Sequence, residues 1–302
     1  MGRMEMVDLR DLQCLAALAR HRHFARAASE CGLSQPAFSM RIRSLEERLD
    51  TTIVRRGNRY QGLTQEGETI LAHARQILDN VRALEQDVRA ARGEITGRLA
   101  LGAIPTAAAY AAHAATLLRK EHPGITIRIQ TGSSLAIQQG VAEGSFDAGI
   151  IYTEGGSRDL LNVEPLYDES YVLLCPRDMA PRQEGEVSWQ EVAELDLSLL
   201  EPQMQNRRIL DRVFSDAGVV PKVIAEMSGM TGSIALAIQG AAATIVPKTV
   251  LESYGPLQNT VALGLTNPYI ETSVSLVTPQ RQPHIPTVEA LRSALALERH
   301  PR

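Results

Sequence analysis

The stretch SECGLSQPAFSMRIRSLEERL, residues 29–49, carries two sets of side chains at helical spacing. Phe38, Ile42, Leu45 and Leu49 recur every three or four residues and form one apolar stripe. Pro36, Ser39, Met40 and Arg43 fall away from that stripe, with Gln35 at the tip. Such a face can do recognition chemistry. A Gln amide pairs with an adenine edge, an Arg with guanine or a phosphate, and a short Ser lets a backbone come close. A solvated helix face with incidental arginine would carry the same residue types, so the elements around it have to decide.

Those elements point one way. Ser34 supplies an N-cap oxygen, and Pro36 sits in the first turn, where a missing N–H costs little. A preceding helix starts at Phe24 and stops at Gly32, which tolerates a left-handed C′ position. Before it, Leu9, Leu12, Leu15 and Leu18 mark a helix over 9–21. Two helices joined by so short a Gly-containing turn match a helix-turn-helix unit, with Ala28, Gly32 and Phe38 as its packing points. Next, TTIVRRGNRYQGLT reads as a β-hairpin whose basic tip carries Arg55, Arg56 and Arg59, suited to phosphates or a minor groove. Residues 1–64 hold eleven Arg, no Lys and seven acids, a balance of +4 that leaves −8 on the remainder. A basic head on an acidic body predicts that the head alone meets a polyanion, double-stranded DNA.

From Thr64 a long helix follows, with Glu66 and Glu68 complementing its dipole. Ile70, Ile77, Leu84 and Ala91 are seven apart, as are Ala74, Val81 and Val88. This a/d seam predicts pairing with another helix, either that of a second subunit or one in the same chain.

Residues 97–302 alternate strand and helix patterns, predicting βαβ units, mostly parallel sheets and a ligand cleft at the carboxyl ends of the strands. Small hydroxyls and helix starts gather there: Thr106, Ser133 with Ser134, Asn206 with Arg207 and Arg208, and Ser228 with Thr231. Helix N-termini with hydroxyls favour a small anion, and an Arg adds charge-assisted bonds. Each residue by itself is equally an ordinary cap or a solvated cation; the constellation favours a ligand site. Cys14, Cys31 and Cys175 have neither CxxC nor metal-ligand spacing, so no metal and no cofactor are expected. No nucleophile elbow or His–carboxylate pairing by spacing suggests catalysis. MGRMEMVDLRDL has no apolar core of a signal peptide and no stretch is long enough for a membrane span, so a cytoplasmic protein is expected.

The chain resembles the LysR-type transcriptional regulators over essentially its whole length. The residues that carry the likeness are LRDLQCLAALARHRHFARAASECGLSQPAFSMRIRSLEERL, then LTQEGE, AHARQIL and GRLALGAIPT. The resemblance implies an α/β protein of three parts. These are a winged helix-turn-helix over 1–64, a linker helix over 65–93, and a periplasmic-binding-protein-like effector domain over 94–302. Its subdomain I would take about 94–164 and 269–302, and subdomain II about 165–268, with crossings near 162–167 and 266–271. It implies DNA contacts for Ser34, Gln35, Pro36, Ser39 and Arg56, a small effector in the cleft, a homodimer through the linker helix and a homotetramer. Arg22-His23, Met40 and Ile53-Val54 depart from the family's usual residues and bear on which operator is read. A thiol-redox sensor on the same scaffold is the alternative, and a solute-binding or enzymatic α/β protein a more distant one.

Overall fold

The computed structural model describes residues 7–56, 60–90, 95–155, 161–280 and 285–299. Arg59 and Ala91 lie outside them. The chain forms two compact units, Met1–Gly97 with Glu143–Ser145 and Arg281–Ala290, and Arg98–Ala142 with Phe146–Gln280 and Leu291–Arg302.

The first unit starts with α1 (Leu9–His21), α2 (Phe24–Glu30) and α3 (Gln35–Arg48). Between α2 and α3 the chain turns at Gly32 with φ +65°, a conformation that costs a side-chain-bearing residue but not glycine. Leu12, Leu15, Leu18, Ala28, Phe38, Ile42 and Leu45 close one core. Leu9 and Leu49, placed on the apolar stripes by spacing, are exposed at the helix ends, where fewer turns cover them. Asp11, 1% exposed, holds α3 onto α1: its two oxygens accept from Arg41 at 2.7 Å and from Arg48 at 2.8 Å. The hairpin forms from β1 (Val54–Arg56) and β2 (Tyr60–Leu63), paired antiparallel. Glu46 Oε1 accepts from the N–H groups of Ile53 and Val54, so α3 sets where the hairpin begins.

Helix α4 (Gln65–Ala90) starts with Thr64 Oγ1 accepting the Gly67 N–H at 2.9 Å. A Cβ at Gly67 would lie 2.3 Å from Ile53 O, so only glycine lets the helix pass this close to the hairpin. The start of the heptad pattern is absorbed locally, because Ala74 belongs to the head core and Ile70 packs against it. Ile77, Leu84 and Val88 are left exposed at spacings of seven and four, on one side of the helix.

In the second unit one path of strands runs β4 (Ile125–Thr131), β3 (Gly97–Ala103), β5 (Ala148–Tyr152), β12 (Glu271–Pro279), β6 (Leu161–Pro176), β11 (Thr260–Thr266) and β7 (Glu186–Ser188), while β10 (Thr244–Pro247) also pairs with β6. The long β6 belongs to both halves. Residues 161–170 pair with β12, and residues 171–176 with β10 and β11. The crossing is one continuous strand, so no turn signal marks it. Strands β8 (Leu197–Leu200) and β9 (Val223–Met227) pair in parallel, and Leu197 bridges to Ala243 beside β10.

Helices α5 (Ala108–Glu121) and α6 (Ser134–Ala142) follow β3 and β4 in the first half. In the second half α7 (Trp189–Ala193) follows β7, and α8 (Gln205–Asp216), α9 (Met230–Ile238) and α10 (Lys248–Tyr254) follow β8, β9 and β10. The last helix is α11 (Pro286–Arg299). Close packing in the first half needs small residues: a Cβ on Gly149 would meet Ile137 at 2.5 Å. In the second half Trp189 stacks edge-on against Phe214, its indole N–H donating to Pro268 O at 2.9 Å.

Candidate nucleic-acid interface and effector cleft

Burying Phe38, Ile42 and Leu45 turns the other face of α3 outward. Gln35, Pro36 and Arg43 are exposed, Met40 is 67% exposed and Ser39 is half-buried. Ser34 Oγ accepts the Ala37 N–H at 3.4 Å, so the helix begins where spacing places it. Arg55 is exposed on β1 and Arg56 ends that strand. The arginines divide by role. Arg41 and Arg48 serve Asp11 and Arg20 pairs with Glu30, whereas Arg43 and Arg55 have no carboxylate partner among the described residues. A charge count could not separate these two groups.

The second unit gathers polar side chains around one phenol where its halves meet. Tyr152, at the end of β5, donates to Glu169 Oε1 at 2.7 Å. A phenol has one hydrogen to give, so its lone pairs accept from Thr106 Oγ1 at 3.0 Å and from Asn206 Nδ2 at 3.4 Å. Thr106 precedes α5, Asn206 stands in the first turn of α8, and Glu169 lies on the shared strand β6. The Tyr171 hydroxyl also faces the Glu169 carboxylate. Burial pushes Glu169 up to about 7, while the hydroxyls of Tyr152, Tyr171 and Thr106 pull it back.

Three buried atoms of this region have no hydrogen-bond partner among the described residues: Glu169 Oε2, Asn206 Oδ1 and Ser134 Oγ. A buried polar atom left unpaired is costly, and such atoms mark places where a ligand or solvent completes the bonding. Ser134 starts α6 just after β4, whose following Gly132 N–H donates to Ala103 O at the end of β3. A groove of about 740 Å³ opens on Thr106 and is lined further by Tyr110, His113, Thr249 and Tyr254, from α5 and α10.

The remaining expected residues make no hydrogen bond to this centre among the described residues. Ser133 Oγ caps α6 by accepting the Ala136 N–H. The Arg207 guanidinium is occupied by Asp211 and Glu226 and by Leu200 O, so the cation that spacing offered to a ligand instead serves its own domain. Arg208 is exposed and lines a second groove of about 480 Å³ with Gln205, Arg212 and Thr272. Ser228 and Thr231 are exposed at the start of α9. Tyr152, Glu169 and Tyr171 were not anticipated. For Glu169 and Tyr171 the signal was the run YDESY, which sets Tyr167, Glu169 and Tyr171 two apart on one strand face around a single acid; Tyr152 had none. Cys175 is fully buried in β6, and burial pushes its thiol up to about 11. Among the described residues no group of three or more His, Cys, Asp or Glu could hold a metal, and no helix is long and apolar enough to cross a membrane.

Comparison with known proteins assigns both units. Residues 9–68 match the bacterial regulatory helix-turn-helix of the lysR family, and residues 92–298 match the LysR substrate binding domain. The chain belongs to the LysR family. It is a LysR-type transcriptional regulator with a DNA-binding head and an effector-binding domain. A probable hydrogen peroxide-inducible genes activator of Streptomyces viridosporus is 31% identical over 256 residues, covering 83% of this chain and 80% of that protein. The RuBisCO operon transcriptional regulator of Allochromatium vinosum is 27% identical, covering 70% of each. A full-length OxyR variant of Pseudomonas aeruginosa, with one cysteine replaced by aspartate, has the same fold at TM-score 0.72, with 22% identity over 97% of this chain and 96% of that one. CbnR in complex with its target DNA follows at TM-score 0.61, with 19% identity over 96% and 99%.

Proposed function

We propose that this regulator binds a small anionic effector where the halves of its C-terminal domain meet, and that occupancy changes how the head engages DNA. One observation carries the reading. Thr106 from one half and Asn206 from the other hydrogen-bond the same buried phenol, with Asn206 Oδ1 left unpaired, as is Ser134 Oγ at the start of α6. A ligand bonding Ser134 and Asn206 would alter the links that join the halves, which is a way to bias a two-state assembly. The start of α6 with Ser133 and Ser134 suits the anionic group. Arg208 is a candidate second contact, and Ser228 and Thr231 are outer ones. Arg207, held by two carboxylates, is left out.

On this reading Gln35, Ser39, Met40 and Arg43 face base edges, while Ser34, Pro36, Arg55, Arg56 and Arg59 hold the backbone of double-stranded DNA. The exposed Ile77, Leu84 and Val88 support a homodimer through α4, and two such dimers would give a homotetramer. The protein acts in the cytoplasm by binding, not by catalytic turnover.

Thermal shift against a panel of carboxylates and inorganic anions tests the effector. A ligand that binds only the folded state, at a hundred times its Kd, stabilises by about 2.7 kcal/mol. The expected result is a dose-dependent hit that is lost in Thr106→Val and in Asn206→Ala. A hit that persists unchanged in both variants contradicts the site.

A further inference from the structure

Helix α4 buries a polar side chain that neither DNA reading nor effector binding uses. Gln86 is 5% exposed in the body of the helix, and Ala83, three residues earlier on the same face, is buried with it. The exposed stripe of Ile77, Leu84 and Val88 lies on the opposite side. A buried amide has to find its partners within the protein. Gln86 Oε1 accepts the Thr287 N–H at 3.2 Å. Thr287 is fully buried in the first turn of α11, where backbone N–H groups have no partner inside their own helix. Gln86 therefore caps α11 from another helix. Its Nε2 faces the start of β3: a Cβ on Gly97 would lie 3.1 Å from that nitrogen and 3.6 Å from Thr287 Cγ2. Gln86, Gly97 and Thr287 all belong to the first unit.

Gly97 is also the first residue of β3, and the far end of that strand leads to the effector centre. Strand β3 lies between β4 and β5, with Leu99, Leu101 and Ala103 fully buried. From Ala103 the chain passes through Ile104 and Pro105 to Thr106, which bonds the Tyr152 hydroxyl at 3.0 Å. A strand paired on both edges inside a close-packed core shifts as one piece and transmits strain along its length.

We propose that Gln86 is a positioning residue that carries the state of the effector centre to the linker helix. Its amide holds α4 to the starts of both α11 and β3. A displacement at the Thr106 end of β3 reaches Gly97, and α4 takes it up through the amide as a rotation. Because Gln86 and the Leu84–Val88 stripe lie on opposite sides of the helix, turning α4 about this contact turns the stripe that faces a second copy of the chain. A polar residue on an apolar helix face fixes one arrangement among several, and here it fixes the rotation of α4. The inference rests on the phenol-centred reading above and adds the residue through which that site acts.

A double-mutant cycle on DNA affinity tests it in the full-length protein, with a duplex obtained by binding-site selection as the probe. Thr106→Val perturbs the effector centre without any ligand, by removing the hydroxyl that bonds Tyr152. Gln86→Met removes the amide at nearly constant volume. The expected result is a change in affinity of at least fivefold on Thr106→Val in the wild-type background, and of less than twofold in the Gln86→Met background. Gln86→Glu keeps an oxygen at the α11 N-terminus, which favours negative charge, and should restore the response. A purely packing role would not need that oxygen. A Thr106→Val response of equal size in both backgrounds would overturn the proposal, as would its absence from the wild-type background. The anion screen on Gln86→Met should return the same hits as on the wild type. Loss of those hits would make Gln86 a determinant of binding and overturn its role in transmission. A screen without hits on either protein counts against the anionic effector alone, because the cycle needs no ligand.

Discussion

Tyr152 gives its single phenolic hydrogen to Glu169 at 2.7 Å, and neither residue reaches solvent. The carboxylate is held by hydroxyls alone, with no cation among the groups found to act on it, so burial prevails and favours its neutral form. That balance has a measurable cost. Glu169 titrates at about 7 in the folded protein against an ordinary value of 4.5. Its contribution to stability is complete below the unfolded value and is lost as pH rises through 7. Between pH 5 and pH 8 the loss amounts to about 2 to 3 kcal/mol. Glu169→Gln, neutral throughout, should remove that slope. Denaturant titrations of both proteins at the two pH values check it, and parallel slopes would refute the assignment.

Gly67 faces Ile53 O with no room for a methyl group. Gly67→Ala must push the start of α4 away from the hairpin and should cost the head about 1 to 3 kcal/mol. The same substitution at Gly229, where nothing lies within 4 Å, should cost far less. Thermal melts of the two variants give the comparison.

Asp11 carries both ion pairs that clamp α3 to α1. Asp11→Asn removes the buried carboxylate that Arg41 and Arg48 share, while Arg41 keeps its longer pair with Asp8 at 3.6 Å. Both arginines are partly exposed, which limits the loss to about 1 to 3 kcal/mol. DNA affinity should fall with the melting temperature, because the clamp orients the recognition helix. Full affinity at unchanged stability would show that the clamp is dispensable.

Gln35 and Arg56 should respond differently to removal. Gln35→Ala should change the preferred base at one operator position by about 1 to 3 kcal/mol, whereas Arg56→Ala should weaken all sequences alike and lower the salt slope by about one. Binding-site selection followed by salt titration separates the two effects.

On α4 the apolar residues Leu84 and Val88 are left exposed. Leu84→Glu with Val88→Glu should shift sedimentation toward the monomer and weaken binding to a two-half-site operator. An unchanged mass would remove α4 from the interface.

The head was legible in the sequence because its signals are local. Ser34, Pro36 and Gly32 mark where helices start and stop, and the Phe38–Ile42–Leu45 stripe marks which way α3 faces. What was not legible depends on distant pairs. Asp11 reads as a surface acid until the fold sets it against Arg41 and Arg48. Arg207 looks like a ligand cation until Asp211, one turn away, and Glu226, on another strand, are seen to hold it. The proposed effector region was legible only in outline. Thr106, Ser134 and Asn206 stood out as hydroxyls and amides at helix starts, but the phenol that joins two of them sits at the end of an all-buried strand, where spacing shows no polar face. The alternation in YDESY was the available clue, and an acid between two tyrosines reads just as well as a solvated edge.

The central claim is coupling between that phenol-centred site and the DNA-reading head. It is tested most directly by measuring the DNA affinity and footprint of the full-length protein with and without a ligand that stabilises it in the thermal screen. The account predicts at least a fivefold change in affinity or a shifted footprint, abolished by Asn206→Ala while ligand-free DNA binding is retained. A ligand that saturates the site yet leaves both affinity and footprint unchanged would contradict it.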